Sequence, residues 1–194
     1  MARTKVYWNN VGHRIVESYK KKNNRVVLEG KREQWYDAVR LYIQEFYLDG
    51  NLEGERKVWY ENGNLEMQEF YHNDKLEGTR RFWHVDGKLK MEVFYRDNKL
   101  EGKVKSWHEN GQLKIEGTAR NDKLEGEHKE WDLDGKLSYT YFVNGKLIDP
   151  KFSWEKKYAM INVKRRLYFQ RTLPSIDPHM ISDLSKIVCE YVSG

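Results

Sequence analysis

Proline does not occur before position 150 of this 194-residue chain, and cysteine occurs once, at Cys189. With no proline in the first 149 residues, no backbone N–H is missing there and continuous strand pairing is open to the chain. A lone cysteine excludes an internal disulfide and favours a reducing compartment. No apolar run approaches the roughly 18 residues of a membrane helix, and the N-terminal MARTKVYWNNVGHR lacks the apolar core of a secretory signal. These absences lead to the expectation of a soluble, cytoplasmic protein. Aliphatic bulk is scarce as well, with 39% hydrophobic residues and a mean hydropathy of −0.93. What stands in its place is aromatic: 14% of the chain, including seven Trp and thirteen Tyr. Amphipathic rings without matching aliphatics suit a thin, half-solvated sheet, and their abundance argues against disorder.

The formal charge of +5 is concentrated at the ends. Residues 1–45 carry ten Lys/Arg against five acids and residues 150–194 carry eight against four, while residues 46–149 carry seventeen against twenty-one. Nucleic-acid binders gather positive charge into a stripe. Two basic ends around an acidic body do not, and nucleic acid is not an expected partner.

Self-similarity organises the chain. Leu-Glu-Gly occurs at 28–30, 52–54, 76–78, 100–102 and 124–126, always 24 residues apart. Trp35, Trp59, Trp83, Trp107 and Trp131 each lie five residues past that glycine. Four residues beyond four of these Trp come Gly63, Gly87, Gly111 and Gly135, and two further on Leu65, Leu89, Leu113 and Leu137. Trp154 follows a degenerate Leu147-Ile148-Asp149, and Trp8 precedes Gly12 by four, so every Trp is a repeat Trp. The Trp and Gly columns are expected to be an architectural spine.

Each unit reads as a hairpin. Asn62-Gly63, Asp86-Gly87, Asn110-Gly111 and Asp134-Gly135 are dipeptides favoured in two-residue type I′ turns. Asn73-Asp74-Lys75, Asp97-Asn98-Lys99, Asn121-Asp122-Lys123 and Asn144-Gly145-Lys146 supply a second connection. The fold class expected is mainly β: an elongated antiparallel hairpin array, a single twisted, solenoid-like sheet, with a C-terminal capping helix. Its divisions are a degenerate N-terminal repeat or cap (1–29), five hairpin repeats (30–149), a degenerate repeat or linker (150–172) and the helical cap (173–194). The first of the five repeats is degraded, since Val39 replaces the turn glycine.

The segment Trp59-Tyr-Glu-Asn-Gly-Asn-Leu65 followed by Phe70-Tyr-His-Asn-Asp-Lys-Leu-Glu-Gly78 resembles the MORN repeat, in the longer variant of bacterial antitoxin-like proteins. The likeness departs at Thr118-Ala119, which replace the aromatic pair. Uninterrupted 24-residue copies with this chain's ending are also similar to MORN proteins of marseillevirus-like giant viruses. The resemblance implies a single-layer hairpin array used as a non-enzymatic protein-interaction scaffold, often dimerising. Two alternatives stand beside it: a peripheral membrane or anionic-lipid binder acting through the basic ends, and an antitoxin-like neutralising protein, which the resemblance implies.

Beyond residue 150 the pattern changes. Asp177-Pro178 is a helix entry, and Met180, Ile181, Leu184, Ile187, Val188 and Tyr191 share a helical face. Such a helix would cap the open edge of the array, or serve as a docking helix similar to the start of an F-box motif. Lys156, Lys157, Lys164, Arg165 and Arg166 form a candidate anionic-partner patch or a solvated face.

Catalytic chemistry is not expected. Tyr60, His84, His108 and Asp132 form a column one residue past each Trp, but equivalent residues in successive two-stranded units stand roughly 9.6 Å apart. Histidine nitrogens must approach one metal ion to about 2.0–2.1 Å, so neither a metal nor another cofactor is implied. The same spacing puts Glu53, Glu77, Glu101 and Glu125 at or past the limit for paired-carboxylate catalysis. Lys75, Lys99 and Lys123 are the partners expected for these acids.

Overall fold

The computed structural model describes residues 2–148, which form one antiparallel sheet of 16 strands. The strands are β1 (Arg3–Trp8), β2 (Arg14–Lys22), β3 (Arg25–Trp35), β4 (Leu41–Leu48), β5 (Asn51–Leu52), β6 (Gly54–Trp59), β7 (Leu65–His72) and β8 (Lys75–Leu76). They continue as β9 (Gly78–Trp83), β10 (Leu89–Arg96), β11 (Lys99–Trp107), β12 (Leu113–Arg120), β13 (Lys123–Leu124), β14 (Gly126–Trp131), β15 (Leu137–Val143) and β16 (Lys146–Ile148). Spatial order follows chain order, with the two-residue strands β5, β8 and β13 attached to β4, β7 and β12. Among the described residues there is no helix. The expected C-terminal helix, the 150–172 stretch, Trp154, Cys189 and the patch of Lys156, Lys157, Lys164, Arg165 and Arg166 lie outside the described residues.

The Asn-Gly turns form, but not as type I′. Trp59 pairs with Leu65 across the turn, Tyr60 N–H donates to the Asn64 carbonyl, and Gly63 N–H returns to the Tyr60 carbonyl, both at 2.9 Å. Only Gly63 has a positive φ (87°); Asn62 has none. This is a type I turn closed by a left-handed glycine, the three-residue hairpin loop. Asn62 acts through its side chain, whose Oδ1 accepts the Asn64 N–H at 3.0 Å, and Asp86 and Asn110 repeat the bond. The type I′ turns are at the opposite end of the hairpins, where Asn73 (49°) and Asp74 (63°) are both left-handed between paired His72 and Lys75.

The degraded repeat is repaired in the same way. Val39 offers no left-handed glycine, so Asp37 takes over: its carboxylate accepts Val39 N–H (3.0 Å), Arg40 N–H (2.9 Å) and Arg40 Nε–H (2.7 Å). These donors hold the Asp37 carboxyl down at about 2, the two backbone amides contributing most.

Tyr42, Glu66, Lys90 and Lys114 are extra residues that shift the register beside the Trp–Leu pairs of the four central hairpins. The first and last hairpins lack that bulge. In the last one the deletion is visible in the sequence, because Asn144 follows Asn121 by 23 residues where earlier turns recur at 24.

Alternation along the strands divides the sheet into two faces. The most buried residues, Ile15, Ile43, Val58, Leu76, Val93 and Ala119, share one face with buried Glu45, Glu69, Ser106 and His128. Trp35, Trp59, Trp83, Trp107 and Trp131 occupy the other face and are half-buried.

Candidate interaction surface

Each type I′ turn is tied to the next by the Leu-Glu pair that follows it, across the open end of the intervening hairpin. Leu52 C=O accepts Asp74 N–H (3.0 Å), Leu52 N–H donates to Asp74 Oδ1 (2.6 Å), and Glu53 Oε2 accepts Asn73 N–H (2.9 Å). The set recurs at Leu76-Glu77 with Asp97-Asn98 and at Leu100-Glu101 with Asn121-Asp122. Glu29 and Glu125 accept Asp49 and Asn144 N–H in the same way. The glutamate column therefore does not pair with Lys75, Lys99 and Lys123 as expected. A type I′ turn presents its N–H groups outward in a tight arc, and a carboxylate satisfies them better than it would a mobile surface ammonium. Those donors hold the Glu29 and Glu53 carboxyls below the ordinary value, with the backbone bond the largest cause. Lys75 instead reaches Asp97 at 2.7 Å.

The opposite ends are tied through the Trp carbonyls. Tyr36 Oη donates to Trp59 C=O (3.0 Å), Tyr60 Oη to Trp83 C=O (2.8 Å), and His108 Nε2 lies 2.8 Å from Trp131 C=O. Asp132 turns onto its own loop, accepting Asp134 and Lys136 N–H at 3.0 and 2.8 Å. The column of Tyr60, His108 and Asp132 is thus committed to main chain, while His84 Nε2 is buried without a hydrogen bond. Among the described residues no group of three His, Cys, Asp or Glu is placed to hold a metal ion.

The buried face carries a feature the sequence reading missed. Glu45 lies between Arg32 and Arg56, and Glu69 between Arg56 (2.6 Å) and Arg80 (2.8 Å), in a row that crosses the strands. Arg80 Nε faces Glu69 Oε2 as an ion pair without a directed hydrogen bond. Tyr47 and Tyr71 donate to these carboxylates, and burial together with the adjacent negative charge pushes both phenols up to about 12. Glu69 is 1% exposed. Repetition every 24 residues, Glu45 to Glu69 and Arg32 to Arg56 to Arg80, was the signal available. Further along, the row becomes Val93, Val104, Gly117 and His128. There the His128 ring fills the space over Gly117, where an added Cβ would meet it at 2.0 Å, and packs edge-on to Phe142 at 4.8 Å.

The Trp face has a different texture. Its centre is a row of cross-strand charges, with Arg81 Nε 2.7 Å from Glu92 and Lys105 Nζ 3.2 Å from Glu116. Trp–Leu pairs flank it on one side and Phe46, Phe70, Phe94 and Tyr141 on the other. Where the last hairpin lacks the bulge residue, an open groove of about 590 Å³ forms around Trp131, lined by His108, Lys114, Glu130, Asp132, Leu133 and Lys136, among others. Apolar side chains are exposed beside it: Leu133 (66%), Tyr139 (54%) and Leu137 (37%).

A single-layer sheet of hairpins locked edge to edge defines a repeat array. Four of its units match the family described as MORN repeat variant, at residues 52–73, 76–97, 100–121 and 124–144, so the chain carries MORN repeats. Such repeats commonly mediate protein–membrane or protein–protein interactions. No curated protein matches the chain. The hairpins β1–β2 and β3–β4 precede the matched units, and Leu28-Glu29 docks the following turn as the matched repeats do.

Proposed function

We propose that this chain is a non-enzymatic protein-interaction scaffold whose main contact surface is the groove around Trp131. The observation that carries the proposal is the cluster of Leu133, Leu137 and Tyr139 exposed beside a groove rimmed by charges of both signs. Exposed apolar side chains ringed by polar groups are the signature of a protein contact, and mixed charge at the rim favours a protein over a uniformly anionic membrane. The finer likenesses to antitoxin-like and giant-virus proteins rest on the sequence pattern alone.

The test uses the full chain and a Leu133→Ser/Tyr139→Ser variant in parallel. The scaffold reading expects a defined protein retained from cell lysate by the native chain and lost by the variant. It also expects no salt-dependent sedimentation with acidic vesicles. Strong vesicle binding that falls steeply with salt, with no protein retained, would replace this reading by the lipid-binding one.

A further inference from the structure

The end of the sheet farthest from that groove carries an independent site. Strand β1 is the terminal strand, and among the described residues it pairs only with β2. Asn9 N–H donates inward to His13 C=O, so alternation turns the N–H and C=O groups of Thr4, Val6 and Trp8 to the outside. Within the array the corresponding outward carbonyls of Trp59 and Trp83 receive Tyr36 and Tyr60. Trp8 has no preceding hairpin among the described residues.

The side chains specify what the edge lacks. Lys5 stands opposite Glu17, Glu17 opposite Arg32, Arg32 opposite Glu45, and the alternation continues through Arg56 and Glu69 to Arg80. The row begins on an exposed cation, whose next member would be a carboxylate. On the other face Val6 and Trp8 are 54% and 58% exposed. A second β1 would not complete the row, because Arg-Thr-Lys-Val-Tyr-Trp holds two cations and no acid. Like charges brought opposite each other oppose self-pairing.

We propose that β1 is a strand-addition site for an extended segment of another protein, with a carboxylate facing Lys5 and apolar β-formers facing Val6 and Trp8. Main-chain bonds supply the attachment and the alternating side chains the selectivity.

The probe is a capped nonapeptide alternating valine with glutamate, compared with its valine–lysine counterpart, on the full chain. Saturable binding of the glutamate peptide is expected, at least tenfold tighter than the lysine peptide, with slowed amide exchange at Thr4, Val6 and Trp8. Lys5→Glu should invert the preference. Val6→Pro removes an outward N–H without touching the β1–β2 ladder and should abolish binding. Unaltered exchange in β2 confirms that this variant is folded; if it is not, the Lys5→Glu inversion decides alone. Equal binding of both peptides, or retention by folded Val6→Pro, overturns the proposal. So does protection of the three amides in the chain alone, with sedimentation then separating a second copy from the chain's own residues. None of these outcomes bears on the Trp131 groove.

Discussion

Replacing Asn98 by glycine converts a type I′ turn to the sequence that turn statistics favour, and the structure says the change destabilises. Asn98 Oδ1 accepts the N–H of Leu76 at 2.7 Å, and Leu76 is among the most buried residues. A buried main-chain N–H left without an acceptor costs about 1–3 kcal/mol. Glycine relieves the left-handed φ of 65°, but asparagine tolerates that region, so the relief is well below the roughly 1–2 kcal/mol of an ordinary residue. The net expectation is a loss of about 1 kcal/mol, or about fivefold in the local opening equilibrium. Repeat arrays depart from two-state behaviour, so urea unfolding should be accompanied by amide exchange. The Leu76 amide should exchange about fivefold faster while Leu52, held by Asp74, stays unchanged as the internal reference. An unchanged Leu76 rate, or a raised urea midpoint, would refute the claim that this side chain couples successive type I′ turns.

Three further outcomes follow from the same contacts. Glu69→Ala strands Arg80, takes one of Arg56's two carboxylates, and should cost about 3 kcal/mol by urea unfolding. Glu69→Val with Arg80→Val imitates Val93 and Val104, leaves Arg56 with Glu45, and should stay within about 1 kcal/mol of native. Gly117→Ala drives a methyl into the His128 ring and should cost about 1–3 kcal/mol; adding His128→Ala should recover part of it, a non-additivity visible in a double-mutant cycle. Asp37 has a folded value of about 2 against an ordinary 3.8. A lowered carboxyl stabilises above its unfolded value and loses that stabilisation as pH falls toward 2. An NMR titration should therefore find the Asp37 midpoint near 2, and a midpoint near 3.8 would show that its turn bonds are absent.

The repeat and the hairpin were legible because Leu-Glu-Gly, Trp and Gly recur at fixed offsets, and an antiparallel meander is the local solution for two turns in 24 residues. The turn types were not legible. Asn62-Gly63 and Asn73-Asp74 have similar local chemistry, and only the strand register decides which loop is three residues long. The partner of Glu53 escaped for a related reason: it is a main-chain N–H in the next type I′ turn, and the sequence shows only side chains. The Glu45–Glu69 row was not legible, because a 24-residue spacing shared with the Trp column does not say which face of the sheet a charged residue takes. The groove lies at a hairpin that lacks the bulge residue, and that deletion appears in the sequence only as a spacing of 23.

The central claim is that every type I′ turn is locked to the next through the Leu-Glu pair that follows it, making the array one continuous surface for display. Amide exchange at Asp49, Asn73, Asp97, Asn121 and Asn144 tests it most directly, since each donates to the glutamate that follows the preceding type I′ turn. The account predicts protection at these turn amides comparable to that of the ladder amides within the hairpins. Exchange at the rate of free turns, beside protected ladders, would mean hairpins that pair without being locked.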